Sequence, residues 1–292
     1  MRIELSGSLV HVDPLTIVFT QDQDFLPEVY TALGYTHFEA ICIGGGGGSG
    51  GGIDTANTGT QVRNYGGKGG GGGFHRARGL LSTLASPCPV AVGLAGADGA
   101  DHASLPASVG DGLEGGFSSF NDNTCIASGG RGGKGADSNS TTVSTVANGG
   151  DGGLGDRSAS GGGGAGGLAG TPTALGPGTP GTDGEDGSLN GDIGAGGGGG
   201  AGGVGNYESD GGGLITGITC VSATAGGRGS YNPGYTLVYG PGGDPTTDPD
   251  SLAASIVPGN GGGAKDSPLS GLPTVHGQSG QDGIVIIRLT SE

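Results

Sequence analysis

Glycine occurs in this chain in runs, and the runs carry a period. Of 292 residues 77 are Gly, clustered at 44–52, 66–73, 129–135, 149–155, 161–167, 194–205, 211–213 and 259–263. Several clusters repeat every three residues: GGRGGKG at 129–135, GGDGGLG at 149–155 and GAGGLAG at 164–170. A collagen-like GTPGTDGEDGSL runs from Gly178 to Leu189. A period of three is that of the extended left-handed polyproline-II helix, which rises ~3.1 Å per residue and makes no hydrogen bond within itself. Its peptide groups must therefore find partners on neighbouring segments. Where two positions in three are Gly, two faces can touch neighbours and the third carries side chains, as with Arg131, Lys134 and Asp137. A rod surrounded on every side has to be nearly all Gly, which GGGGGSGGG at 44–52 and GGGGG at 69–73 and 196–200 satisfy. The pattern predicts a packed bundle of polyglycine-II rods. A flexible linker is the simple alternative, but linkers do not need the apolar segments Pro89–Leu94, Leu214–Val221 and Tyr235–Tyr239 that alternate with the runs.

Outside the runs the chain reads as strand. Residues 1–43 carry short β-branched stretches at Arg2–Leu5, Ser8–Val12 and Leu15–Thr20, one or two helical turns within Phe25–Tyr35, and the clearest strand, HFEAICI at 37–43. That strand sets Phe38, Ala40 and Cys42 on one face and Ile41 and Ile43 on the other, so both faces are expected to be buried. A second such strand, GIVIIRLT, spans Gly283–Thr290. The two are expected in one sheet, with 44–282 as one long excursion between them. The expected fold is mainly β and irregular: a small β-sandwich or sheet from the N- and C-terminal strands (1–43 and 283–292), enclosing the bundle at 44–282.

The residues that could carry chemistry do not assemble a site. Gly45, Gly47 and Gly50 match GxGxxG, and Gly47, Ser49 and Gly51 match GxSxG, both just after a strand. Each motif needs a helix to follow, and GGIDTANTGT forms none. Lys68 and Lys134 lack phosphate-loop spacing, and His11, His37, His75, His102 and His276 lack ligand spacing. The acidic groups Asp183/Glu185/Asp186 and Asp244/Asp248/Asp250 match no calcium loop. Cys42, Cys88, Cys125 and Cys220 form no CxxC pair, and read as free, partly buried thiols. Asn139–Ser140–Thr141 is a sequon expected to be silent. No catalytic residue, cofactor or metal is expected, and the chain does not read as an enzyme. The formal charge of −16 opposes nucleic acid and anionic membranes as partners. No stretch reaches the ~20 apolar residues of a membrane span. Met1–Thr16 lacks the pattern of a signal peptide.

Four segments in order carry a resemblance: HFEAICIGGGGGSGGG (37–52), PVAVGLAGADG (89–99), GGFSSFNDNTCIASGGRGGKG (115–135) and GQSGQDGIVIIRLTSE (277–292). The chain resembles the glycine-rich minor tail proteins of bacteriophages, with an apolar strand entering a Gly run and a GxxGxVIIRx end. It departs from them at Asn121, where Gly is usual after Phe120, and in the second segment, where Gly stands singly in place of the usual doublets. The resemblance implies a virion component at the tail tip or tail fibre, made in the host cytoplasm, with other tail proteins as partners, a homo-oligomer (a trimer in many such proteins), and loops that meet a host cell-surface receptor. Loops held by a stiff scaffold are where such contacts are usually made. The candidates are Gly73–Ser86 with Phe74, His75, Arg76 and Arg78; Asn206–Asp210 with Tyr207; and Tyr231, Tyr235 and Tyr239, since aromatics and Arg favour contacts. Two other classes use similar composition. A PGRS-like bacterial surface protein carries a helical N-terminal domain that residues 1–43 do not supply. A polyglycine-II ice-binding protein needs flat regular faces, which irregular repeats and the charge work against.

Overall fold

The computed structural model describes residues 12–51, 53–57, 60–64, 66–100, 107–108, 110–135, 137–138, 189–190, 193–194, 208–209, 259, 261, 265–269, 272–276 and 279–291. The N-terminal stretch to residue 11, the Gly clusters at 149–155, 161–167 and 211–213, Cys220 and both acidic groups lie outside them. So does most of the 194–205 cluster.

Two antiparallel sheets form the base. Strands β1 (Leu15–Phe19), β2 (Gln23–Phe25) and β3 (His37–Ile43) come first, with the short helix α1 (Pro27–Ala32) between the last two. The HFEAICI strand thus falls where its pattern puts it. Further along come β4 (Ile53–Asn57), β5 (Thr60–Asn64), β6 (Phe74–Leu80), β7 (Cys88–Ala91), β8 (Ala107–Ser108), β9 (Ser118–Phe120), β10 (Cys125–Ala127) and β11 (Asp137–Ser138). The chain then gives β12 (Leu189–Asn190), β13 (Ile193–Gly194), β14 (Glu208–Ser209), β15 (Lys265–Leu269), β16 (Leu272–His276) and β17 (Ile284–Thr290). One sheet has the order β1-β17-β3-β6-β13-β12, the other β10-β9-β7-β2. β17 pairs directly with β3 from Ile284↔Ile43 to Thr290↔His37, so the two most apolar strands of the chain are neighbours. The core between the sheets takes Phe38, Ala40 and Cys42 from β3, Val285, Ile287 and Leu289 from β17, and Phe25, Val90 and Phe120 from the second sheet. Phe120 bridges them, its ring centroid 5.8 Å from Phe25 and 5.5 Å from Phe38. The other face of β3 buries Ile41 and Ile43 with Phe74 and Ile286, so this strand is covered on both sides.

The sequence expectation of a single excursion between residues 44 and 282 is corrected here. The chain returns to the base at β6, β7, β9, β10 and the β12–β13 hairpin. The reason is geometric. A strand and a polyglycine-II rod are both extended, so one runs into the other without a turn. β3 continues as rod 1 (44–51), and rod 2 (66–73) runs into β6. β7 continues as rod 3 (92–100), rod 4 (110–117) runs into β9, and β10 continues as rod 5 (128–135). Gly259, a turn residue with φ 71°, and Gly261 make a short strip numbered rod 6 by its position, and rod 7 (279–283) leads into β17.

The rods are bonded with a repeat of three. Gly44, Gly47 and Gly50 donate to the carbonyls of Gly73, Gly70 and Gly67 on rod 2 at 2.8–3.0 Å. Gly45, Gly48 and Gly51 donate to Gly116, Leu113 and Gly110 on rod 4, and Gly46 donates to Gln281 on rod 7. Successive amides of rod 1 thus turn to three different neighbours, as a threefold screw requires. Its carbonyls accept from the other neighbours: Gly45 and Gly48 from Gly130 and Gly133 of rod 5, Gly46 and Ser49 from Gly96 and Gly99 of rod 3. Rod 6 closes the ring, with Gly72 donating to Gly259 and Gly259 to Asp282. Rods 2, 5, 4, 3, 7 and 6 therefore encircle rod 1, each bonded to the next. A methyl group on Gly47 would overlap the Arg131 carbonyl, and one on Gly48 the Ala97 carbonyl, so the central run admits almost nothing larger than Gly. Rod 5 shows the edge pattern: Gly129, Gly130, Gly132 and Gly133 turn to neighbours while Arg131 and Lys134 are exposed.

Candidate functional site

Rods 1–5 and 7 each join a base strand, so the links from rod 1 to rod 2 and from rod 3 to rod 4 fall at the far end of the bundle. Rod 1 ends in the β4–β5 hairpin, paired from Ile53↔Asn64 to Asn57↔Thr60, before the chain returns as rod 2. β14 adds to β5 through Glu208↔Gln61 and Ser209↔Thr60. Rods 3 and 4 are joined through β8, which pairs with β11 beyond rod 5 (Asp137↔Ser108). Rods 6 and 7 are joined through the β15–β16 hairpin, paired from Lys265↔His276 to Leu269↔Leu272. β16 touches β4. This end is an apex of short hairpins standing on a bonded lattice. The sequence carried a signal for both longer hairpins that composition alone hides. Thr58–Gly59 and Ser270–Gly271 are two-residue, Gly-ending links between runs of extended type.

The loop expected at Gly73–Ser86 is corrected: its first part is β6, in the middle of the larger sheet and at the base. Phe74 is buried with Ile41, Ile43 and Ile286. His75 faces the other sheet, its Nδ1 3.0 Å from both the amide and the carbonyl of Ile126 on β10. Arg76 and Arg78 lie on the outer face around Glu39. The Arg78 Nε and Nη2 donate to Glu39 Oε1 at 2.8 and 2.6 Å, and Arg76 and Arg288 approach at 3.9 and 3.7 Å. The four residues thus lie on a base strand rather than in an apex loop, and only Arg76 and Arg78 share a charge cluster. β-Pairing explains it: Glu39 is cross-strand partner to both Arg78 and Arg288. Tyr207, Tyr231, Tyr235 and Tyr239 lie outside the described residues.

The motif-like glycines are consumed by the lattice. The amides of Gly45, Gly47 and Gly50 donate to Gly116, Gly70 and Gly67, so they are not presented to a phosphate. Ser49 is fully buried in rod 1, where no substrate meets it. Lys68 is fully buried in rod 2, and Lys134 pairs with Asp111 at 2.6 Å. Cys42, Cys88 and Cys125 are free thiols, and wholly rather than partly buried. Burial pushes the Cys42 thiol well above its ordinary range, with Cys125 beside it adding to the effect. Burial likewise holds Cys88 up to about 12, against a lowering by the Asn121 backbone. No group of His, Cys, Asp and Glu able to hold a metal occurs among the described residues. No helix there is long and apolar enough to cross a membrane.

The profile of a family described as a glycine-rich domain matches residues 25–290, spanning base, rods and apex together. No curated protein matches the chain.

Proposed function

The chain belongs to the glycine-rich domain family, and from that premise we propose that it is a non-catalytic virion component of a phage tail whose apex hairpins meet the host cell surface. The observation that carries this reading is the division of labour along the rods. The base holds the aromatic and aliphatic core, the rods tie each segment to its neighbours, and the hairpins collect at the end away from the base. Such a scaffold lets the apex sequence vary without disturbing the core, which suits a surface that tracks a changing receptor. The base is then the side turned to other tail proteins. The four-segment resemblance to minor tail proteins supports the same reading. Immunogold electron microscopy of virions with antibody to this chain is the test. Label at the tail tip or fibres is the expected result; label confined to capsids, or virions without label, overturns it.

A further inference from the structure

The flank of the bundle formed by rods 3 and 4 carries an exposed apolar band. The two rods are bonded antiparallel, with Gly116 donating to the Leu94 carbonyl, Leu113 to Ala97 and Gly110 to Ala100. Residues three apart share one side of such a rod. On rod 3 one such line is Leu94, Ala97 and Ala100; on rod 4 another is Asp111, Glu114 and Phe117, and all six are exposed. Leu113 adjoins the first line through its bond to Ala97. Leu94, Leu113 and Phe117 are 71%, 61% and 59% exposed, so three large apolar side chains on adjacent segments face water together. The backbone bonds hold both segments in place, so the band keeps its shape without a partner. Carboxylates edge it. Asp111 is paired with Lys134. Glu114 and Asp98 are in no ion pair among the described residues, and Asp98 accepts the Ser279 hydroxyl at 3.0 Å.

We propose that this flank docks a basic, proline-rich segment of a partner polypeptide, held as a polyproline-II helix. The shared repeat is the first reason. Such a helix advances about 9 Å for every three residues, as the rods do, so successive turns of the ligand meet successive turns of rods 3 and 4 in the same way. Its proline rings and aliphatic side chains cover Leu94, Leu113 and Phe117, the mode by which proline-rich segments dock on aromatic-lined surfaces. The helix is pre-formed, which lowers the cost of ordering it. Charge is the second reason. A Lys or Arg on the ligand meets Glu114 and Asp98, and an Arg can also stack on the Phe117 ring. A second copy of this chain meeting the flank about a two-fold axis would set acidic edge against acidic edge in a molecule of formal charge −16, so charge complementarity selects a cationic partner. Neither the apex nor the base enters the argument, so it stands apart from the tail reading.

The test is an NMR titration of the full chain with a blocked peptide of three Pro-Leu-Arg repeats, at about 0.15 M salt so that unspecific attraction to the net charge is screened. Peptides of Pro-Ser-Arg and of Pro-Leu-Glu repeats are the controls, the first lacking the apolar side chains and the second the cations. Saturable shifts of the Leu94, Leu113 and Phe117 amides with the Pro-Leu-Arg peptide, with affinity about tenfold or more above either control, support the site. Phe117→Ser is expected to weaken binding about tenfold, whereas Val18→Ser, at an exposed position of β1, leaves it unchanged. Absence of saturable shifts, equal affinity for the Pro-Ser-Arg peptide, or unchanged affinity in a folded Phe117→Ser variant overturns the proposal. So does an oligomer of the chain alone, seen by light scattering, that Phe117→Ser dissolves, because a second copy then covers the flank.

Discussion

At the junction between sheet and rod one hydroxyl joins three segments. Ser118 is fully buried at the start of β9. Its Oγ donates to the Ile43 carbonyl at 2.6 Å and accepts the Gly93 amide at 2.9 Å. It thereby ties the end of β3 to the start of rod 3 at the point where pairing in sheets gives way to bonding in three directions. Ser118→Ala leaves the Gly93 amide buried without that acceptor, and the expected loss is about 1–3 kcal/mol by denaturant unfolding. The thiols give a second residue-scale prediction. Cys42, Cys88 and Cys125 are expected to resist alkylation at pH 8 in the native protein and to react once it is unfolded, read site by site by mass spectrometry. Modification of Cys42 at a free-thiol rate in folded protein would contradict the packing. Asn121 and Asp122 show how a tight turn is made here without glycine. Both adopt positive φ, 49° and 53°, in the loop joining β9 to β10. Asn and Asp tolerate that region better than other non-glycine residues, and Asn121 Nδ2 donates to Thr124 Oγ1 at 2.9 Å. Asp122→Gly is expected to leave the melting temperature unchanged or raise it, whereas Asp122→Val lowers it.

At the scale of elements, rods 4 and 5 are pinned on their outer side as well as through their backbones. Asp111 accepts from Lys134 Nζ at 2.6 Å and from the Gly135 amide at 2.9 Å. Partial burial raises the Asp111 carboxyl, but the Lys134 and Gly135 hydrogen bonds and the Lys134 charge together outweigh it and hold it below 3.8. A carboxyl lowered on folding stabilises fully above its unfolded value of about 3.8 and loses that contribution as pH falls through the lower folded value. The melting temperature of Asp111→Asn should therefore lie below that of the unmodified chain at about pH 6, and the gap should shrink below about pH 3.5. A gap that is constant with pH would deny the carboxylate its role. Elements differ in how plainly the sequence announces them. β3 and β17 were legible because both faces are apolar, and rod 5 because Arg131 and Lys134 mark every third position. β6 was not, because FHRARGL mixes charge with a single aromatic and follows a Gly run. Only the pairing of Glu39 with Arg78 shows why those charges belong in a sheet. The apex hairpins were hidden for a related reason: their strands are polar, and their turn signals, Thr58–Gly59 and Ser270–Gly271, sit among many other glycines.

Over the whole molecule, one fact organises the rest: rod 1 is hydrogen-bonded to five neighbours, three antiparallel rods (2, 4 and 7) taking its amides and two (3 and 5) donating to its carbonyls. Dense packing leaves no room beside it, so Gly47→Ala should cost about 3 kcal/mol or more, through the Arg131 carbonyl it would meet. Arg131→Ala, on the exposed side of rod 5, should change stability by no more than about 0.5 kcal/mol. The contrast matters more than either value, because a chain held only by its base sandwich would tolerate both. Gly is the residue whose ordering costs the most backbone entropy, so the lattice persists only if its amides are bonded to one another. Native-state hydrogen exchange resolved to single residues measures this directly. The amides of Gly44–Gly51 are predicted to exchange only through global unfolding, as slowly as those of Ile41 and Ile287 in the base. Exchange of the rod 1 amides at the rate of an open chain, with the base strands still protected, would contradict the account.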